Sequence, residues 1–231
     1  PEDKQVIFFQ KEPDHVKHFI YDKTSVYKSF YHSKGEAWMI QTPWISISHD
    51  ELVEMPPPPK RHLISVVDSG RTAVPGHYRR LHALNDIIKH VSNIHLYGYI
   101  TKGRENTGYF KTCLPVRTKE AAFLDYKYAV AIENGRTPCY FSETIIDPIL
   151  CWTTPIYWGC SNISKYFPKG SFVEIKDLNE GVGLQVKSII ESQHYEENMD
   201  ALAEARDLIL NKYNLIPTIE KALVSNNLWE E

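Results

Sequence analysis

From His62 onward, short apolar runs alternate with longer segments of helical character, and this alternation restricts the fold more than any other feature of the chain. Strands are expected over His62–Ser69, 94–99, Tyr128–Glu133, Pro155–Trp158 and Ser171–Ile175. Between the first two, residues 77–91 place Leu81, Leu84, Ile87, Ile88 and Val91 at amphipathic helical spacing. Further helices are expected over Lys119–Asp125, from Ser142 onward, near 178–193 and near 195–213. Strands alternating with helices predict a parallel α/β sheet. In such a sheet ligands bind outside the carboxyl ends of the strands. Hydrophobic residues make up 42% and charged residues 24% of the 231 residues, so a sizeable core is available and disorder is not expected.

The region before His62 reads differently. Residues 6–9 are a short buried strand running into a loop at Gln10, Lys11, Glu12 and Pro13. An aromatic-rich stretch follows, with no regular period. Pro56, Pro57, Pro58 and Pro59 then exclude helix or central strand and favour extended polyproline II backbone, flanked by Glu51, Glu54, Lys60 and Arg61. This divides the chain into a partial N-terminal domain over residues 1–55, a semi-rigid linker over 56–61 and a main domain over 62–231.

Several functions are set aside. A net charge of -3 gives no general electrostatic case for nucleic acid or an anionic membrane as partner. No apolar run reaches the ~18 residues of a transmembrane helix. No signal peptide is visible, which favours a cytoplasmic setting for the chain as given, although it begins at Pro1. Cys113, Cys139, Cys151 and Cys160 contain no Cys-x-x-Cys pair and are expected to be buried or half-buried thiols. His15 and His18 lack further ligands at metal spacing, and Asn162-Ile163-Ser164 is a weak sequon.

The stretch from Tyr126 to Ile175 carries the chemical signal. A strand ends in Glu133-Asn134, a polar loop follows, and Ser142 is placed to cap a helix. The helix N-terminus would present backbone N–H groups and partial positive charge to a diphosphate. By themselves these residues suggest a phosphate-binding crevice and no more.

In the same stretch, Tyr126-Lys127-Tyr128, Glu133-Asn134, Tyr140, Ser142-Glu143, Pro155-Ile156-Tyr157-Trp158-Gly159 and Pro168-Lys169-Gly170-Ser171-Phe172-Val173 stand in order. Together they resemble the donor-binding signature of the alpha-1,3/4-fucosyltransferases, glycosyltransferase family 10. The resemblance implies a two-domain GT-B-like fold, with a Rossmann-type parallel sheet as donor domain and an α/β acceptor domain, here partial. It implies GDP-fucose as donor, a glycan hydroxyl as acceptor, inversion at the anomeric carbon, and neither a metal nor a cofactor. The absence of an Asp-x-Asp motif in the chain agrees with the metal-free chemistry.

The resemblance also implies roles. Glu12 takes the place of the general base that accepts the acceptor hydroxyl's proton. An arginine at the start of the first donor-domain helix stabilises the departing GDP. Arg80 fits that place best, and Arg79 is the alternative. Asn134, Tyr140, Ser142 and Glu143 line the nucleotide site. The chain departs from the family at Thr144, where a lysine would neutralise the diphosphate, and Arg136 is the nearby cation expected to compensate. Pro148 is a second departure and should kink or shorten its helix. These departures leave open another nucleotide-sugar donor, or a catalytically silent binding homologue.

Overall fold

The structure is a computed structural model that describes residues 43–98 and 118–225, together with the backbone of Ile7–Phe9 and Lys28–Phe30. Those two short segments, β1 and β2, pair in parallel. Glu12, His15, His18 and Cys113 lie outside the described residues.

The main body is a five-stranded sheet built from β3 (His62–Asp68), β4 (Ile94–Gly98), β5 (Tyr126–Ile132), β6 (Thr154–Trp158) and β7 (Val173–Glu174). Their order is β4-β3-β5-β6-β7 and every pairing is parallel. The inner strand β6 is buried throughout, and the central strand β5 nearly so, because helices cover both faces of a parallel sheet. The edge strand β4 is half-buried along its length. The β3–β4 connection through α2 (Pro75–His90) and the β5–β6 connection through α3 (Glu143–Leu150) run in opposite directions along the sheet, so the right-handed crossover rule assigns them to opposite faces. There α2 packs on α4 (Val182–Ile190), and α3 packs on α6 (Met199–Asn211).

The expected strands fall within a few residues of their observed bounds, except that Ser171–Ile175 contracts to the two residues of β7. The helix expected over Lys119–Asp125 is a 3-10 turn over Lys119–Ala122. The helix expected near 195–213 is divided at Asn198 into α5 (His194–Glu197) and α6. A last helix, α7, spans Leu215–Val224. In α6 the buried stripe is Leu202, Ala205, Arg206, Ile209 and Leu210, with Leu208 only half-buried. Arg206 is tolerated there because it donates to the Leu150 carbonyl at 3.0 Å and to the Leu52 carbonyl, and stacks 4.9 Å from the Trp152 ring.

The proline run is extended and mostly exposed, as its composition requires. Packing does not break there, however. Ile45 and Leu52, the latter in α1 (His49–Glu54), belong to the same apolar core as the sheet. Trp152 Nε1 donates to the Met55 carbonyl at 3.0 Å, and the Trp44 N–H donates to Asp147 at 3.0 Å. Residues 44–55 are therefore bonded to the body that begins at His62. At the far end of the run, the half-buried Lys60 ammonium donates to the carbonyls of Leu124 and Cys151 at 2.9 and 2.8 Å. Cys139, Cys151 and Cys160 are buried. Among the described residues no helix is long and apolar enough to cross a membrane.

Candidate active site

The sheet order reverses direction between β3 and β5, so a crevice opens above their carboxyl ends. A cavity of about 650 Å³ sits there, lined among others by Asp68, His77, Arg80, Asn134, Ser142 and Thr144. Five elements converge on it: the ends of β3 and β5, the first turns of α2 and α3, and the 3-10 turn at Lys119.

The α2 side carries the arginine. This helix starts at Pro75, a residue suited to a first turn because it has no N–H to satisfy. Gly76 follows, and a Cβ there would lie 1.7 Å from the Asn134 carbonyl oxygen. The helix can therefore abut the end of β5 only with glycine at that position. One turn on, Arg80 forms an ion pair through Nε with the buried carboxylate of Asp68, and its Nη1 donates to Asn134 Oδ1 at 2.9 Å. Asp68 Oδ1 also accepts the Gly70 N–H at 2.5 Å. Held at two points, the guanidinium has a fixed plane. His77 is buried beside it, its Nδ1 accepting the Ala73 N–H at 3.2 Å.

The α3 side carries the helix N-terminus. Ser142 is the N-cap, its hydroxyl accepting the Thr144 N–H at 3.2 Å. Ser142 is itself gripped by Glu133: its N–H donates to Oε1 at 2.8 Å and its hydroxyl to Oε2 at 2.7 Å. Glu133 is 4% exposed, and burial pushes its carboxyl up to about 7, against the lowering effect of the Ser142 hydrogen bonds. Pro148 sits inside α3 and removes the N–H that would bond the Thr144 carbonyl. The helix closes two residues later at Leu150, so its short length agrees with the sequence reading.

The third wall holds the cation Lys119. Its ammonium lies 2.7 Å from the wholly buried Asp147 and 5.1 Å from the centre of the Trp44 ring. Burial raises the Asp147 carboxyl to about 6, opposed chiefly by Lys119.

Of the residues singled out in the sequence, Arg80, Asn134, Tyr140, Ser142, Glu143 and Thr144 share this one cavity. Arg79 and Arg136 do not line it. They face a neighbouring cleft of about 740 Å³ beside Trp158, Glu174 and Asn179. Arg136 is engaged there, donating to Glu174 at 3.0 Å and to the Lys176 carbonyl at 2.9 Å. Sequence reasoning missed Asp68, His77, Lys119 and the part played by Glu133. Asp68 was legible as the acid ending the first strand of the sheet. Lys119 was not, because its proximity to α3 depends on a contact across 28 residues of chain.

Known proteins similar to this chain are glycosyltransferases. The chain is 37% identical over 63 residues to an alpha-(1,3)-fucosyltransferase FucT of Helicobacter pylori, a match covering 27% of this chain and 13% of that protein. It is 26% identical over 160 residues to an alpha-(1,4)-fucosyltransferase of Arabidopsis thaliana, covering 62% of this chain and 37% of the relative. The chain thus spans well under half the length of either. Among solved structures, a glycosyltransferase from Rickettsia africae superposes with a TM-score of 0.54 at 14% identity, covering 90% of this chain and 58% of that one. An alpha1,3-fucosyltransferase with GDP-fucose gives 0.47 at 21% identity, covering 92% and 68%. The fold is the GT-B-like, Rossmann-type α/β class expected from the sequence. Residues 59–192 match the family described as glycosyltransferase family 10 (fucosyltransferase), C-terminal domain, and the chain belongs to that family.

Proposed function

We propose that this chain binds GDP-fucose in the cavity between β3 and β5 and serves as the donor side of a fucosyltransferase acting on a glycan hydroxyl. The observation that carries the reading is the convergence of Arg80, Asn134, Tyr140, Ser142, Glu143 and Thr144 on one cavity at the reversal point of the sheet. Arg80 and the first-turn amides of α3 would face the diphosphate, where charge grows as the bond to fucose breaks. The reading includes inversion without a metal, with Glu12 accepting the proton of the attacking hydroxyl.

Thr144 favours a second reading. With Arg136 engaged by Glu174, that arginine does not take the place of a cation at 144. A weaker or different nucleotide-sugar donor, or a binding protein without turnover, would follow.

Calorimetric titration with GDP-fucose, GDP and UDP-linked controls, in the presence of chelator, separates these readings. The first expects selective binding of the GDP ligands. Replacing Arg80 by Lys should weaken binding about ten- to hundredfold, the scale of a lost charged hydrogen bond of roughly 1.5–3 kcal/mol. Arg136→Ala should leave it unchanged. Turnover abolished in Glu12→Gln with donor binding retained would separate an enzyme from a silent homologue. Binding of UDP ligands alone would replace the donor.

A further inference from the structure

Glu133 is a buried carboxyl in the wall of a cavity read as an anion site, and among the described residues no cation forms an ion pair with it. Its donors are the Ser142 N–H and hydroxyl, with the Tyr157 hydroxyl 3.4 Å from Oε1. The site is built closely around it: a Cβ on Gly159 would fall 2.3 Å from Glu133 Cγ and 2.4 Å from the Tyr157 oxygen. The groups that face it come from every adjoining element. Arg80 of α2 lowers its proton affinity, but that guanidinium is already engaged by Asp68 and Asn134. Glu143 of α3 raises it. Tyr157 of β6 holds its proton far above neutrality because it is buried.

A second negative charge entering such a cavity disfavours the ionised carboxyl, in the way that two carboxylates sharing a site keep a proton. Linkage makes the effect reciprocal: a proton on the carboxyl must strengthen binding of the anion. Protonation does not release Ser142, because the neutral group still accepts the Ser142 N–H.

We propose that Glu133 is the proton-linked positioning residue of the donor site. It holds the N-terminus of α3 through Ser142 and takes up a proton when the diphosphate binds. The inference rests on the donor reading above. It places the acid–base behaviour of donor binding on a residue that need not touch the donor. The carboxyl's elevation to about 7 puts the coupling at neutral pH.

The test is calorimetric titration with GDP-fucose, whose two phosphates each carry one ester and one shared anhydride bond and do not titrate near neutrality. It is run from pH 6 to 8.5 in pairs of buffers of different ionisation enthalpy. The wild-type chain should take up a proton on binding, and its affinity should fall as pH rises, at the steepest by about tenfold per pH unit. Glu133→Gln keeps an acceptor for the Ser142 N–H. It should bind without proton uptake, with a flat profile, and at pH 8 more tightly than wild type. Ser142→Ala removes one donor that favours the ionised form and should move the wild-type midpoint to higher pH. Uptake that persists in Glu133→Gln, or equal weakening of that variant at every pH, would overturn the proposal. Wild-type binding without proton exchange would overturn it and leave the donor reading standing. No wild-type binding of GDP-fucose at any pH would remove both.

Discussion

A buried acid is the residue on which the stability of this fold should depend most visibly on pH. Glu133 keeps its proton in the folded chain up to about 7, whereas an unfolded glutamate releases it near 4.5. Between those values the native state binds more protons than the unfolded state, so its contribution to stability falls as pH rises. Denaturant unfolding of Glu133→Gln should show the variant gaining on wild type between pH 5 and pH 8. Asp147, raised to about 6, acts in the same direction and should leave a shallower slope in the variant. A gap between the two proteins that is equal at both pH values would count against a buried, protonated Glu133. At the same scale, Arg80 was singled out in the sequence and the pairing that orients it was not. Its position in the first turns of the helix after the first strand is visible in one dimension, and its role is what the family resemblance implies. The Asp68 carboxylate that orients it is supplied by the strand end beside it.

At the scale of elements, helix α4 depends on a side chain from another helix. It begins after Gly181, which adopts φ +95° and offers no capping side chain of its own. Asp86 of α2 takes that role, its Oδ2 accepting the N–H groups of Gly181 and Gly183 at 3.2 and 2.9 Å. The carboxylate also faces the positive end of the helix. Asp86→Ala should cost about 1 kcal/mol, the usual scale of a lost N-cap, while Asp86→Asn should keep most of it. Thermal unfolding of the two variants checks this, and equal losses would place the effect in charge rather than capping. The other end of α3 shows a comparable device. Trp152 has a φ of 58° and closes the helix, its N–H bonded to the Ile149 carbonyl and the Thr153 N–H to Pro148. A tryptophan holds this left-handed position because its ring is pinned by Met55 and Arg206.

Across the whole molecule, the segment before the proline run is bound to the sheet domain by core packing and by hydrogen bonds. Leu52 is 3% exposed in the shared core. Leu52→Ala should lower the unfolding free energy by about 2–5 kcal/mol, with one cooperative transition and an unchanged denaturant slope. A chain beginning at residue 62 should be much less stable than one beginning at residue 43. If Leu52→Ala instead loosened only a separate early transition, residues 43–55 would belong to a unit of their own.

Periodicity and punctuation alone determined the parallel α/β class, the helix at 77–91, the cap at Ser142 and the shortening of α3 by Pro148. Each of these follows from local backbone rules: a repeat of burial, a side chain within reach of its own helix, a missing N–H. The strand end at Glu133-Asn134 beside the Ser142 cap was legible for the same reason, and the family resemblance added Asn134, Tyr140 and Glu143 as lining residues. Tertiary structure decided what local rules do not reach. It placed Arg136 against Glu174 and away from Thr144, brought Lys119 to Asp147, and joined residues 44–55 to the body on the other side of the proline run. Polyproline backbone dictates only that a segment is extended. Whether the chain on its two sides shares a core is set by which apolar surfaces meet, and those contacts are distant in sequence.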